Sequence, residues 1–152
     1  MYSYNAKLVR VVDGDTVDFS IDLGFKVWIN KRVRLHHVDT PEKRTRDLVE
    51  KHFGNLASDF VLETLTKAQR IVIATTIDGN LDKYGRVLGV IWADNDLRSV
   101  NDHLIMNRLA VKYEGQNKSL VEEEHINNRH YLIDNGLTTL SAENQTLYEN
   151  SK

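Results

Sequence analysis

The chain of 152 residues carries 20 Lys and Arg against 22 Asp and Glu, a formal net charge of −2, with 41% hydrophobic and 28% charged residues. That composition suits one globular domain and excludes a wholly disordered chain, and no apolar run approaches the ~20 residues of a membrane-spanning helix. There is no cysteine, so thiol catalysis, disulfide scaffolding and Cys-based zinc sites are excluded as well.

In chain order, the first half reads as strands. Leu8 to Val12 is a short apolar run ending at the turn signal Asp13-Gly14-Asp15. Val17, Phe19 and Ile21 alternate with Asp18, Ser20 and Asp22, the pattern of a half-buried strand. Gly24 marks a turn, and Val27 to Val38 reads as one β-branched stretch stopped by Pro41, which lacks an N–H and extends Thr40. The period then changes: Leu48, Phe53, Leu56, Phe60, Val61 and Leu65 recur at helical spacing, predicting a helix within 47–68 that Gly54 weakens early on. Arg70 to Ile77 and Arg86 to Ala93 read as two further strands around a polar loop, 78–85. Ser99 to Leu109 is predicted as a short helix N-capped by Ser99, and Leu120 to Ile133 as a last helix ending near Gly136. Together these predict an α+β, mainly β chain: a five-stranded Greek-key barrel of the OB type with about three helices. The domain is expected over residues 1–140, with 141–152 a polar tail that frays.

The charge is unevenly spread. Residues 26–46 hold seven basic side chains and two acids, whereas 114–152 hold three basic and seven acidic ones. The basic run is either a solvated face or a local positive field for a polyanion, in which case the acidic C-terminal half faces away from it. The N-terminal MYSYNAKLVRVV has no apolar run of signal-peptide length. A cytoplasmic location is therefore expected, with export of a longer precursor left open.

Three segments combine acids and arginines with turn residues: Asp13-Gly14-Asp15-Thr16; Arg34-Leu35-His36-His37-Val38-Asp39-Thr40-Pro41-Glu42; and Asp82-Lys83-Tyr84-Gly85-Arg86. Their chemistry is that of a hard-cation site facing a phosphate. Asp15 and Asp39 offer carboxylates and Thr40 its carbonyl, the oxygen donors that calcium and magnesium prefer. Glu42, beyond the bend, is placed to hold a water, and Arg34 and Arg86 are permanently charged forks that match phosphate oxygens. These are the parts of metal-assisted phosphodiester hydrolysis. Each segment alone has an ordinary reading: a turn, a helix start, a Gly before a strand.

In this order the three segments resemble the staphylococcal nuclease (thermonuclease) family, over roughly residues 7–115, and its intracellular, phage and plasmid members more than the secreted enzyme. Asn101, Leu104, Leu109-Ala110-Val111 and Tyr113 extend the resemblance downstream. It implies an OB barrel and a calcium-dependent, non-specific nuclease acting on DNA and RNA and leaving 3′-phosphate ends. It implies Asp15, Asp39 and the Thr40 carbonyl as calcium ligands, Glu42 as general base, and Arg34 and Arg86 on the scissile phosphate. Lys83, Tyr84 and Tyr113 are the implied substrate contacts, joined by Lys43 and Arg44 from the basic run, and a monomer without membrane association is expected. The alternative is a non-catalytic OB module that binds nucleic acid or a protein.

The chain also departs from the family pattern. The stretch Asp22 to Arg32, with Trp28, is longer than in the secreted enzyme, and Gly115 stands where a second tyrosine would be. His36 and His37 replace apolar or glycine residues; on a strand they would point to opposite faces, so packing or surface roles are expected. His103, His125 and His130 are read as structural or solvated.

Overall fold

The computed structural model describes residues 2–75 and 86–151. Strands β1 (Tyr2–Asp13), β2 (Thr16–Asp22), β3 (Trp28–Leu35), β5 (Ile71–Thr75) and β6 (Val87–Ala93) close a barrel in the order β1-β2-β3-β6-β5. All neighbours are antiparallel except β3 and β6, which pair in parallel, Arg34 against Leu88. This is the five-stranded OB-type barrel that the strand pattern predicts. A separate two-stranded ladder joins β4 (Val38–Asp39) to β7 (Val111–Lys112).

Alternation in β2 fixes its inner face: Val17, Phe19 and Ile21 are buried and meet Val33, Leu35, Ile73 and Ile91 in the core. Helix α1 (Leu48–Lys67) closes one end of the barrel through Ala57, Val61 and Leu65, the i, i+4 stripe of an amphipathic helix. Asp47 caps it, accepting from the backbone N–H groups of Val49 and Glu50 at 3.1 and 3.2 Å. Helix α2 (Val100–Met106) starts at its expected cap, Ser99, which accepts from Asp102 N–H at 3.0 Å.

Three features differ from the sequence reading, and one lies beyond the described residues. The stretch 27–38 is not one strand: β3 ends at Leu35, and His36 and His37 form a turn before β4. His37 sits there in the left-handed region with φ 64°, so the two imidazoles are not set on opposite faces; their ring centroids lie 3.6 Å apart. The end of the chain is ordered into a fourth helix, α4 (Ala142–Asn150), following α3 (Lys118–Asp134). Its residues are polar, but Tyr148 is buried and packs with Val49, Phe53, Leu132 and Leu140, which holds the helix down. The polar loop 78–85 lies outside the described residues.

Gly54 does not weaken α1 to no purpose. A Cβ there would stand 2.6 Å from the Glu42 carbonyl oxygen and 2.8 Å from the Lys43 nitrogen, so glycine lets the helix press against the chain beyond Pro41. Gly14 does the same for the β1–β2 turn, where a Cβ would meet Ala57 Cβ at 2.7 Å and Thr40 Cγ2 at 3.0 Å. These two contacts lock the Asp15 turn and the Thr40–Glu42 segment onto one helix.

Candidate functional site

An open cavity of about 1420 Å³ lies between the barrel and α3. Asp15, Arg34, Asp39, Thr40, Glu42, Arg86 and Tyr113 all line it. Thr16 on β2 pairs with Arg34 on β3, and the Leu35 N–H donates to the Asp15 carbonyl at 2.8 Å, so the first turn and the end of β3 sit side by side. The Thr40 N–H donates to Asp15 Oδ2 at 3.2 Å and brings the pre-proline bend to the same place.

Arg34 organises this end of the barrel. Its Nη1 donates to the Leu35 and Val38 carbonyls at 3.0 and 2.8 Å, which fixes the plane of the guanidinium. Its Nη2 then lies 3.4 Å from Asp15 Oδ2 and 3.5 Å from Asp39 Oδ1. The two carboxylates therefore converge on one cationic nitrogen. Asp39 has a further partner: His125 on α3, whose Nε2 is 2.7 Å from Asp39 Oδ2. His125 is buried and joins the candidate site through this contact, where the sequence reading took it as structural or solvated. Its contact spans 86 positions, and the sequence showed no more than a histidine on a helix face.

Glu42 lies at the exposed mouth of the cavity. Desolvation, and after it the charges of Asp15, Asp13, Asp39 and Glu50, push its carboxyl above the ordinary carboxylate range. Such a group takes up a proton more readily than a free glutamate at the same pH. The backbone behind the site is stiff. Asn101, buried on α2, donates to the carbonyls of His36 at 3.0 Å and Gly89 at 3.2 Å and accepts from Ile91 N–H at 3.1 Å.

Other predicted contacts are placed differently. Tyr113 is half-exposed on the wall, and its N–H donates to the His37 carbonyl at 2.8 Å. Lys43 turns away, with Nζ 3.4 Å from Ser58 Oγ on α1, and neither it nor exposed Arg44 lines the cavity. Lys83 and Tyr84 lie outside the described residues. The acidic C-terminal half does not face away: Glu114 and Glu122 line the cavity with His125 and Arg129, because α3 forms its far wall.

Among the described residues, the lining includes seven Asp and Glu side chains and four Arg and Lys side chains. Such a cavity repels a phosphodiester unless a cation offsets the carboxylates. No group of three or more His, Cys, Asp or Glu side chains gathers as a metal cluster among the described residues. The donors at hand are two converging carboxylates and backbone oxygen, and the buried Thr40 Oγ1 and Asp13 Oδ1 lack a hydrogen-bond partner. That all-oxygen set, with water or substrate completing it, fits a hard divalent cation and not a zinc site. No helix among the described residues is long and apolar enough to cross a membrane.

Comparison with known proteins places this arrangement. The family described as Staphylococcal nuclease homologue matches residues 32–136. The chain is 35% identical over 91 residues to Thermonuclease of Staphylococcus intermedius, covering 60% of this chain and 50% of that protein. It is 30% identical over 114 residues to Protein ParB of Escherichia coli, covering 70% and 56%. It is 28% identical over 120 residues to Micrococcal nuclease of Shigella flexneri, covering 72% and 59%. The chain thus spans little more than half the length of these curated relatives. Since the family match covers more than half of the chain, from within β3 to just past the end of α3, the chain belongs to the staphylococcal nuclease homologue family.

Proposed function

We propose that the chain is a calcium-dependent nuclease that hydrolyses phosphodiester bonds of DNA and RNA without sequence specificity and leaves 3′-phosphate ends. The observation that carries this reading is the convergence of Asp15 Oδ2 and Asp39 Oδ1 on one cationic nitrogen, with Glu42 and Arg86 on the same cavity. Membership of the family, and relatives named as a thermonuclease and a micrococcal nuclease, support it.

Asp15, Asp39 and the Thr40 carbonyl would hold the calcium, which when bound supplies positive charge against the phosphate and offsets the carboxylate excess. Glu42, on the same cavity beyond the Pro41 bend, accepts a proton from the attacking water. Arg34 has Nη1 committed to two carbonyls and Nη2 ion-paired with Asp15 and Asp39, so it meets phosphate oxygens through Nε and, once calcium engages those carboxylates, through Nη2; Arg86 meets them from just before β6. Both arginines count most where charge builds on phosphorus in the transition state. Tyr113, on the cavity wall, holds the nucleotide, with Lys83 and Tyr84 as the further substrate contacts that the family resemblance implies, and Lys43 and Arg44 add to the field that draws in the strand.

Glu42→Gln tests the chemistry. Turnover should fall by about 10²–10⁴-fold, the scale of a general base, while calcium binding by calorimetry and the melting temperature are kept. A loss smaller than about tenfold would remove Glu42 from that role.

A further inference from the structure

Arg129 is not used by the mechanism above, and its surroundings are unusual for a guanidinium. It lies one helical turn after His125 on the same face of α3, and its side chain lines the cavity from the wall opposite Arg34 and Arg86. Its Nε is buried and has no hydrogen-bond partner. Its Cζ lies 5.9 Å from the ring centroid of Phe53, itself buried in the packing of α1 against α3 and α4. Among the described residues no carboxylate stands within ion-pair range of it, although Glu122 shares its helix and its cavity. A partly buried, permanently charged fork without a counter-charge is costly to keep unless an anion meets it.

We infer that Arg129 binds a second, non-scissile phosphate of the same nucleic-acid strand, so that α3 supplies a phosphate-binding wall facing the cleavage wall of the barrel. This rests on the nuclease reading above. Three observations favour a neighbouring phosphate. The guanidinium opens on the same cavity as the proposed scissile site but from another element. The cavity, at about 1420 Å³, exceeds the ~300–1,000 Å³ that a small ligand fills, leaving room for more than one nucleotide. The planar fork suits phosphate oxygens, and phosphate contacts hold a strand in register whatever its bases. Phe53 behind the fork keeps it pointed at the strand, where a free lysine would swing.

The test compares two substrates: a nucleoside aryl phosphodiester, which carries the scissile phosphate alone, and a single-stranded oligonucleotide of about eight nucleotides. For Arg129→Gln the KM for the oligonucleotide should rise about tenfold or more, against less than twofold for the aryl ester. The salt slope of oligonucleotide binding should fall by about 0.7, the share of one phosphate contact on a single strand. Arg129→Lys should restore the slope and part of the KM. An equal rise in KM on both substrates would overturn the inference in favour of the scissile phosphate, and no change on either would reduce Arg129 to packing over Phe53. Should the glutamine variant fail to fold, the unmodified protein still decides. A nuclease-resistant oligonucleotide in calcium should shield Arg129 from phenylglyoxal, read by peptide mass, and the aryl ester should not. If the protein cleaves the unmodified oligonucleotide while Arg129 stays equally reactive under the nuclease-resistant one, the inference fails alone. If the protein neither cleaves nor binds it, the nuclease reading fails and the inference with it.

Discussion

At the scale of single residues, the site depends on carboxylates held in place by partners that are not ligands themselves. Asp39 is gripped on one oxygen by His125 at 2.7 Å and faces Arg34 with the other at 3.5 Å. Removing the imidazole frees the carboxylate to rotate, and loss of such a supporting partner typically costs 10–100-fold in metal affinity. Calorimetric titration of His125→Ala with calcium should therefore give a Kd raised about tenfold or more, with the melting temperature changed little; an unaltered Kd would show that Asp39 needs no such hold. Asp15, Asp39, Glu42, Arg34 and Arg86 were legible in the sequence because each sits in a short segment beside its own turn residues. His125 was not, since nothing local ties a helix residue to a carboxylate 86 positions away. His36 and His37 were misread for a different reason. The alternation rule holds along a strand, and these two occupy a turn in which His37 has φ 64°.

At the scale of elements, α1 is the part on which both halves of the site are set. Gly54 illustrates how competing local effects are weighed. Alanine there gains about 1 kcal/mol in helix propensity, yet its Cβ would sit 2.6 Å from the Glu42 carbonyl oxygen. The neighbours there are backbone atoms of Glu42 and Lys43, so relief requires moving the chain, and overpacking of this kind costs about 1–3 kcal/mol. The clash should win: Gly54→Ala is expected to melt several degrees lower and to turn over more slowly as Glu42 shifts. A higher melting temperature in a thermal scan would mean that the segment yields and propensity prevails. The long helix and the alternating β2 were readable because their periods are strong. Helix α4 was not, because its polar residues give a weak period and one buried tyrosine, Tyr148, does most of the docking. The split of β3 from β4 was hidden because His36 and His37 carry no Gly or Pro to announce the turn.

At the scale of the whole molecule, the net charge of −2 conceals a division that matters for function. The basic run borders the barrel wall of the cavity, while the acidic C-terminal half closes the opposite side through α3. The excess of carboxylates in the cavity comes from the side of the barrel and α1, where Asp13, Asp15, Asp39, Glu42 and Glu50 outnumber Arg34 and Arg86, whereas Glu114 and Glu122 on the far side are matched by Lys118 and Arg129; under the proposed function a divalent cation held by Asp15 and Asp39 would offset that excess for an entering polyanion. The sequence located the two charge clusters but not the place of α3 as the far wall of the cavity, which brings Glu122, His125 and Arg129 into the same lining as Arg34. The central claim is that phosphodiester hydrolysis in this cavity depends on calcium. It is tested most directly by following cleavage of supercoiled plasmid and of RNA by the purified chain as free calcium is raised, then removed with excess EGTA. Cleavage of both should rise to saturation, stop in EGTA and return when calcium is restored; undiminished hydrolysis in EGTA, or binding without cleavage at any calcium concentration, would contradict the account.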